Sequence, residues 1–173
     1  MLDTFLSDLN SGFTVVPFGV SAARLLLAAI LCGAVGFERE MTRRPAGLRT
    51  HILVGVAACI FIIIGQELSS LDYGRETELR IDPLRLIEAV TAGVAFLAAG
   101  IIFTSRGRVR NITTGASLWL AGAIGMACGA GQAVLAIMAS GIVIFVVVLL
   151  GWVERCFSPK HSRQEEEDRD RET

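Results

Sequence analysis

Five long apolar blocks, parted by short polar or charged stretches, govern what this chain can fold into. They run about Val20–Phe37, Thr50–Gly65, Leu84–Thr104, Ile112–Ala130 and Ala133–Val153. The apolar residues come as runs, not at the period of a half-buried helix or strand. About 20 helical residues cross a hydrocarbon core about 30 Å thick. In lipid a helix satisfies its own backbone hydrogen bonds, whereas an open sheet leaves them bare. Composition agrees: 53% of the 173 residues are hydrophobic, above the usual range of about 45–50%. The expected fold is an all-α integral membrane protein with five transmembrane helices.

Orientation follows Lys and Arg near the span ends, and acidic residues weigh little. Residues 1–17 carry no basic residue. The first loop holds Arg39, Arg43, Arg44 and Arg49, and the third, SRGRVRN, holds Arg106, Arg108 and Arg110 with no acid. Between them, Arg75 and Arg80 are diluted by Asp72, Glu76, Glu78 and Asp82, and the fourth loop, GAGQ, is uncharged. Basic segments therefore alternate, which places the N-terminus outside and the C-terminus in the cytoplasm. Residues 1–17 are an outer lead-in, either a short interfacial helix built on Leu2, Phe5, Leu6, Leu9 and Phe13 or a loosely ordered strand of chain. They lack the basic region of a secretory signal, so the first block is expected to remain in the mature chain. Residues 18–153 form the membrane domain. Residues 154–173, with EEEDRDRE, read as a disordered charged tail too short for a second folded domain.

The first two spans and the next two make similar hairpins. Each basic loop enters its following helix through hydroxyl residues, Thr50 in one and Thr113 and Thr114 in the other. Two hairpins plus a fifth helix is the expected build. If the repeat is real, its axis runs along the membrane normal. Chance likeness between two hairpins rich in small residues accounts for it equally well. Small residues recur at four-residue spacing: Ala29 and Gly33, Ala95 and Ala99, and Ala121, Gly125 and Gly129. Such ridges let helices approach closely, inside one chain or between copies. Cys32, Cys59, Cys128 and Cys156 fall in or at the end of the blocks without metal spacing, and read as small core residues.

Ionisable groups inside spans are costly. Arg24 and Glu88 lie at matched depth near the outer side. Either they pair, with Arg85 and Asp82 nearby, or each reaches headgroups or water alone. His51 has no second ligand at metal spacing, and no metal or other cofactor is expected. There is no GxSxG, HExxH or GxxxxGK[ST] motif, so the chain reads as non-catalytic. The Arg-rich loops suit anionic lipid headgroups and lack the aromatic interleaving of nucleic-acid readers. The expected partners are the bilayer and a membrane protein or a second copy of the chain, with no nucleic acid.

Three ordered motifs carry a resemblance. GAVGFEREMTRRPAGLRTHILVGVAA, preceded by Arg24, is the first; DPLRLIEAVTAGVAFLAAGIIF and VRNITTGASLWLAGAIGMACGAG follow. Together they resemble the MgtC/SapB family of bacterial membrane proteins over about Arg24 to Gly131. Arg24, Glu38, Arg39, Glu40, Gly47, Arg49, Thr50, His51, Asp82, Arg85, Arg110, Thr113 and Thr114 match its pattern, and Glu88 stands within the second motif. Family members often read GFLGAG where this chain has AFLAAG, and glycine where it has Asn111. The resemblance implies a bacterial inner-membrane protein of about five spans, tied in pathogens to growth at low magnesium and survival in macrophages. Members have been linked to restraint of the F-type ATP synthase and to other membrane partners. Some carry a C-terminal cytosolic ACT-like domain, which this chain is expected to lack. No DKTG motif supports ATP-driven transport.

Two functions remain in view. One is a regulatory contact protein, with Glu38, Arg39, Glu40, Arg49 and Arg110 gathered at the cytosolic face and opposite charges on the two basic loops pairing. The other is an oligomeric transporter or channel with Arg24 and Glu88 in its path.

Overall fold

The computed structural model describes residues 15–70, 82–105 and 108–157. The expected helices form: α1 (Phe18–Met41), α2 (Leu48–Ser69), α3 (Pro83–Ile101), α4 (Ile112–Gly129) and α5 (Ala133–Phe157). By length and composition α1 to α4 are each able to cross a membrane, and α5 carries a shorter apolar run, Ala133–Leu149. The lead-in up to residue 14 and the acidic loop at 71–81 lie outside the described residues, as does the tail beyond 157; α5 continues four residues into the expected tail.

Packing is sorted by size. Phe96 is 80% exposed, and Leu26, Ile30, Phe61 and Phe145 also face outward, while Ala28, Cys32, Cys59, Ala121 and Ala136 are wholly buried. A water-facing surface does not carry so much contiguous apolar area; a lipid-facing one does. With lipid removing the hydrophobic drive between helices, close van der Waals contact between small residues takes over. α2 and α4 form the centre: α1 packs on both, α3 packs on both from elsewhere, and α5 lies against α1 and α4.

The central crossing is backbone on backbone. A methyl group at Gly125 would overlap the Gly55 carbonyl and approach its Cα to 2.9 Å. A methyl group at Gly129 would likewise come within 2.6 Å of the Cys59 carbonyl oxygen, and the Cys32 thiol of α1 fills the space beside Gly55 while donating to the Ala121 carbonyl (3.4 Å). The expected Ala121–Gly125–Gly129 ridge is thus the α2-facing surface of α4. The Ala95–Ala99 ridge behaves differently: both residues are exposed, and α3 instead buries Val90, Val94 and Ala98.

Helix ends are closed by side chains from neighbouring elements. The Glu67 carboxylate, late in α2, accepts the backbone N–H groups of Val15 and Val16 just before α1 (2.8 Å for Val16). Asp82 caps α3 through the Leu84 N–H (2.9 Å), with Pro83 in its first turn. Anions at helix N-termini satisfy free donors and oppose the macrodipole. After α1, Arg43 takes the left-handed conformation (φ 53°), while Arg43 N–H bonds Glu40 O and Arg44 N–H bonds Arg39 O (both 3.0 Å). The same closing pattern ends α4, where Gly131 supplies the positive φ (78°).

The third apolar block does not stay helical to Thr104. α3 ends at Ile101, and β1 (Phe103–Ser105) pairs antiparallel with β2 (Arg108–Arg110), Thr104 opposite Val109. Phe103, Thr104 and Val109 favour extended backbone, and pairing the strands gives partners to backbone groups beyond the helix end. Asn111 then turns the chain into α4 with φ 65°, its side-chain amide donating to Ile101 O (3.2 Å). A left-handed position explains why glycine or asparagine suits this place. The two hairpins share helices, not loops.

Candidate functional site

Every motif residue from the basic loops sits at one end of the bundle, where α1 ends and α2 and α4 begin. The short α1–α2 connection is held by Glu40, whose carboxylate accepts the Leu48 N–H (2.8 Å). Gly47, next to it, has no side chain because a Cβ would come within 2.8 Å of that carboxylate. Glu40 therefore does for α2 what an N-cap side chain would do. Gly36 of α1 meets this turn closely: a Cβ there would lie 2.8 Å from His51 Cβ and 2.9 Å from Leu48 Cα.

His51 is fully buried and links the hairpins. Its Nδ1 donates to Gly47 O (2.9 Å), and its Nε2 lies 3.1 Å from Ser117 Oγ on α4. Ser117 Oγ is also 2.9 Å from Thr114 O. With Nδ1 protonated in a neutral imidazole, Nε2 accepts, so the single Ser117 proton has two competing acceptors. Thr114 Oγ1 is buried without a hydrogen-bond partner among the described residues.

Among the described residues, the expected pairing of opposite charges between the basic loops is not what joins them. Arg39 Nε bonds Glu38 Oε2 (2.6 Å) within α1, with side chains 6% and 17% exposed. Glu40 is spent on Leu48. Arg49 and Arg110 are exposed, as is Thr113, while Thr50 is half-buried. The neutral His51–Ser117 contact takes the joining role, since it needs no ionic desolvation inside the helix contact. Thr42 closes the end of α1, its Oγ1 donating to Glu38 O and Arg39 O (both 3.1 Å).

At the other end, Arg24 does not pair with Glu88. Its Nη1 donates to Gly129 O (2.8 Å) and Gln66 Oε1 (3.0 Å), so the cation closes the C-terminus of α4, where the macrodipole is negative. The α2–α4 pair stands between α1 and α3. Glu88 and Arg85 are exposed on α3, and Asp82 is that helix's cap. Gln66 and Ser117 were not singled out from sequence as chemistry-bearing; a polar residue inside an apolar span was the available signal for Ser117, whereas Gln66 lies just past the second block and joins α2 only because that helix continues to Ser69. Among the described residues no group of three His, Cys, Asp or Glu is placed to hold a metal ion.

Comparison with known proteins agrees with the motif placement. The family model described as "MgtC family" matches residues 25–156. The protein named "Putative magnesium transporter YhiD" of Escherichia coli (strain K12) is 39% identical over 128 residues, covering 72% of this chain and 57% of that protein. "Protein MgtC" of Brucella abortus (strain 2308) is 40% identical over 134 residues, covering 78% and 52%. "Protein MgtC" of Salmonella typhimurium (strain 14028s / SGSC 2262) is 39% identical over 126 residues, covering 72% and 50%. The chain thus spans about half the length of these curated relatives. No solved structure matches it. With its motifs gathered on one helical bundle and matched from residue 25 to 156, this chain is a multi-pass membrane protein belonging to the MgtC family.

Proposed function

We propose that this protein is a non-catalytic regulator that works by contact within the bacterial inner membrane during adaptation to magnesium limitation. The F-type ATP synthase is one partner to which the family resemblance points. The observation that carries the reading is the division of labour in the bundle. The centre is closed by the Gly55–Gly125 contact, whereas Arg49 and Arg110 stand exposed at the end that holds the family motifs. Polar side chains with no partner among the described residues, displayed at one end of a tightly packed bundle, suit a docking surface. With that end in the cytosol, the side that the positive-inside rule predicts for the basic loops, the surface faces soluble parts of a membrane complex. In-cell crosslinking under magnesium starvation tests this. Wild type should give a discrete adduct that Arg49→Ala and Arg110→Ala lose while remaining inserted. Absence of any adduct from wild type would overturn it.

A transport role is the second reading, favoured by the printed name of the Escherichia coli relative. It requires magnesium flux in proteoliposomes that Glu88→Gln removes.

A further inference from the structure

A cavity of about 320 Å³ opens where the end of α1, the start of α4 and the second half of α5 meet. Its two ends differ in chemistry. Glu38, Arg39, Thr42, Arg44 and Thr113 line one; Leu120, Ile142, Val143, Val146 and Val147 line the other. The Arg39 side chain is 6% exposed, and only its Nε is engaged, by Glu38. Among the described residues no acceptor reaches its Nη1 or Nη2. Arg39 lines the cavity, and its terminal donors are not sealed from it, so they are available to an anion that enters. Glu38 at −1 with Arg39 and Arg44 at +1 each leaves this end at +1, and the first turn of α4 adds backbone N–H groups that favour an anion.

We propose that the cavity binds an anionic phospholipid, its phosphate against Arg39, Arg44 and Thr113 and one acyl chain along the α5 wall. A phosphodiester carries one negative charge and brings the polar end to neutrality. The apolar wall is continuous with the outer face of the bundle, since Ile142 is 61% and Val146 43% exposed, so an acyl chain enters sideways from the bilayer. A soluble anion would leave the apolar end unfilled. The site does not depend on the proposed regulatory role.

The test is native mass spectrometry of protein released from nanodiscs of equal phosphatidylcholine and phosphatidylglycerol. One retained phosphatidylglycerol is expected, preferred at least about five-fold, the factor that one arginine contributes near an anionic headgroup. Arg44→Gln, at an exposed position, should cut that preference about five-fold. Arg39→Gln should abolish it, but strands Glu38 and endangers folding. Val146→Trp supplies the independent arm: it fills the apolar end, and should remove the retained lipid while the bundle's thermal midpoint stays unchanged. Equal retention of the two lipids by wild type overturns the proposal, as does retention insensitive to both Arg44→Gln and Val146→Trp. Displacement of the lipid by millimolar inorganic phosphate also overturns it, because the occupant would then be a soluble anion.

Discussion

Gly125→Ala is the sharpest perturbation available in this bundle. An added Cβ overlaps the Gly55 carbonyl and stands 2.8 Å from its carbon and 2.9 Å from Cα. Carbon atoms rest at about 3.5–4.0 Å, so α2 and α4 must part by about 1 Å along their contact. Neither atom belongs to a side chain able to swing away. Overpacking of this kind costs about 1–3 kcal/mol, against which alanine returns up to about 1 kcal/mol of helix propensity. Because neither backbone atom can yield, the cost falls at the upper end, about 2–3 kcal/mol, which leaves a net loss of about 1–2 kcal/mol and a midpoint lower by roughly 2–8 °C for a chain of this size. Gly93 is the control: nothing lies within 4 Å of a Cβ there, so Gly93→Ala should be neutral or stabilising by up to about 1 kcal/mol. Cys32, Cys59 and Cys128 are free and buried, so thermal labelling by a maleimide dye in a Cys156→Ser background reports loss of packing directly. If Gly125→Ala labels at the wild-type temperature, or Gly93→Ala falls as far, the backbone-contact account is wrong.

Two further outcomes follow from the loop end of the bundle. Arg43→Gly should raise the labelling midpoint, because Arg43 holds φ 53° and a non-glycine residue there costs about 1–2 kcal/mol; a lower midpoint would refute the strain argument. Ser117→Ala should cost about 1–3 kcal/mol by stranding His51 Nε2, and in a cycle with His51→Leu the double variant should lose less than the two singles together. Strict additivity would show that the 3.1 Å contact does not couple the hairpins.

Sequence alone settled the number and rough extent of the long helices among the described residues. An apolar run long enough to match the hydrocarbon core is a one-dimensional property, and α1, α2 and α4 lie close to the blocks drawn from it. The small-residue ridge of α4 and the buried thiols were legible too, since four-residue spacing shows which residues share a helix face. Tertiary structure decided which faces meet. Ala95–Ala99 has the same spacing as the ridge of α4 yet points outward; Arg24 closes α4 instead of meeting Glu88; His51 finds Ser117 across 66 positions of chain. In a soluble helix the boundary between oily and polar faces reveals the rotation. A helix bathed in lipid is apolar almost all round, so rotation and pairing are set by close fit and a few buried polar contacts, and both appear only when the backbones are brought together.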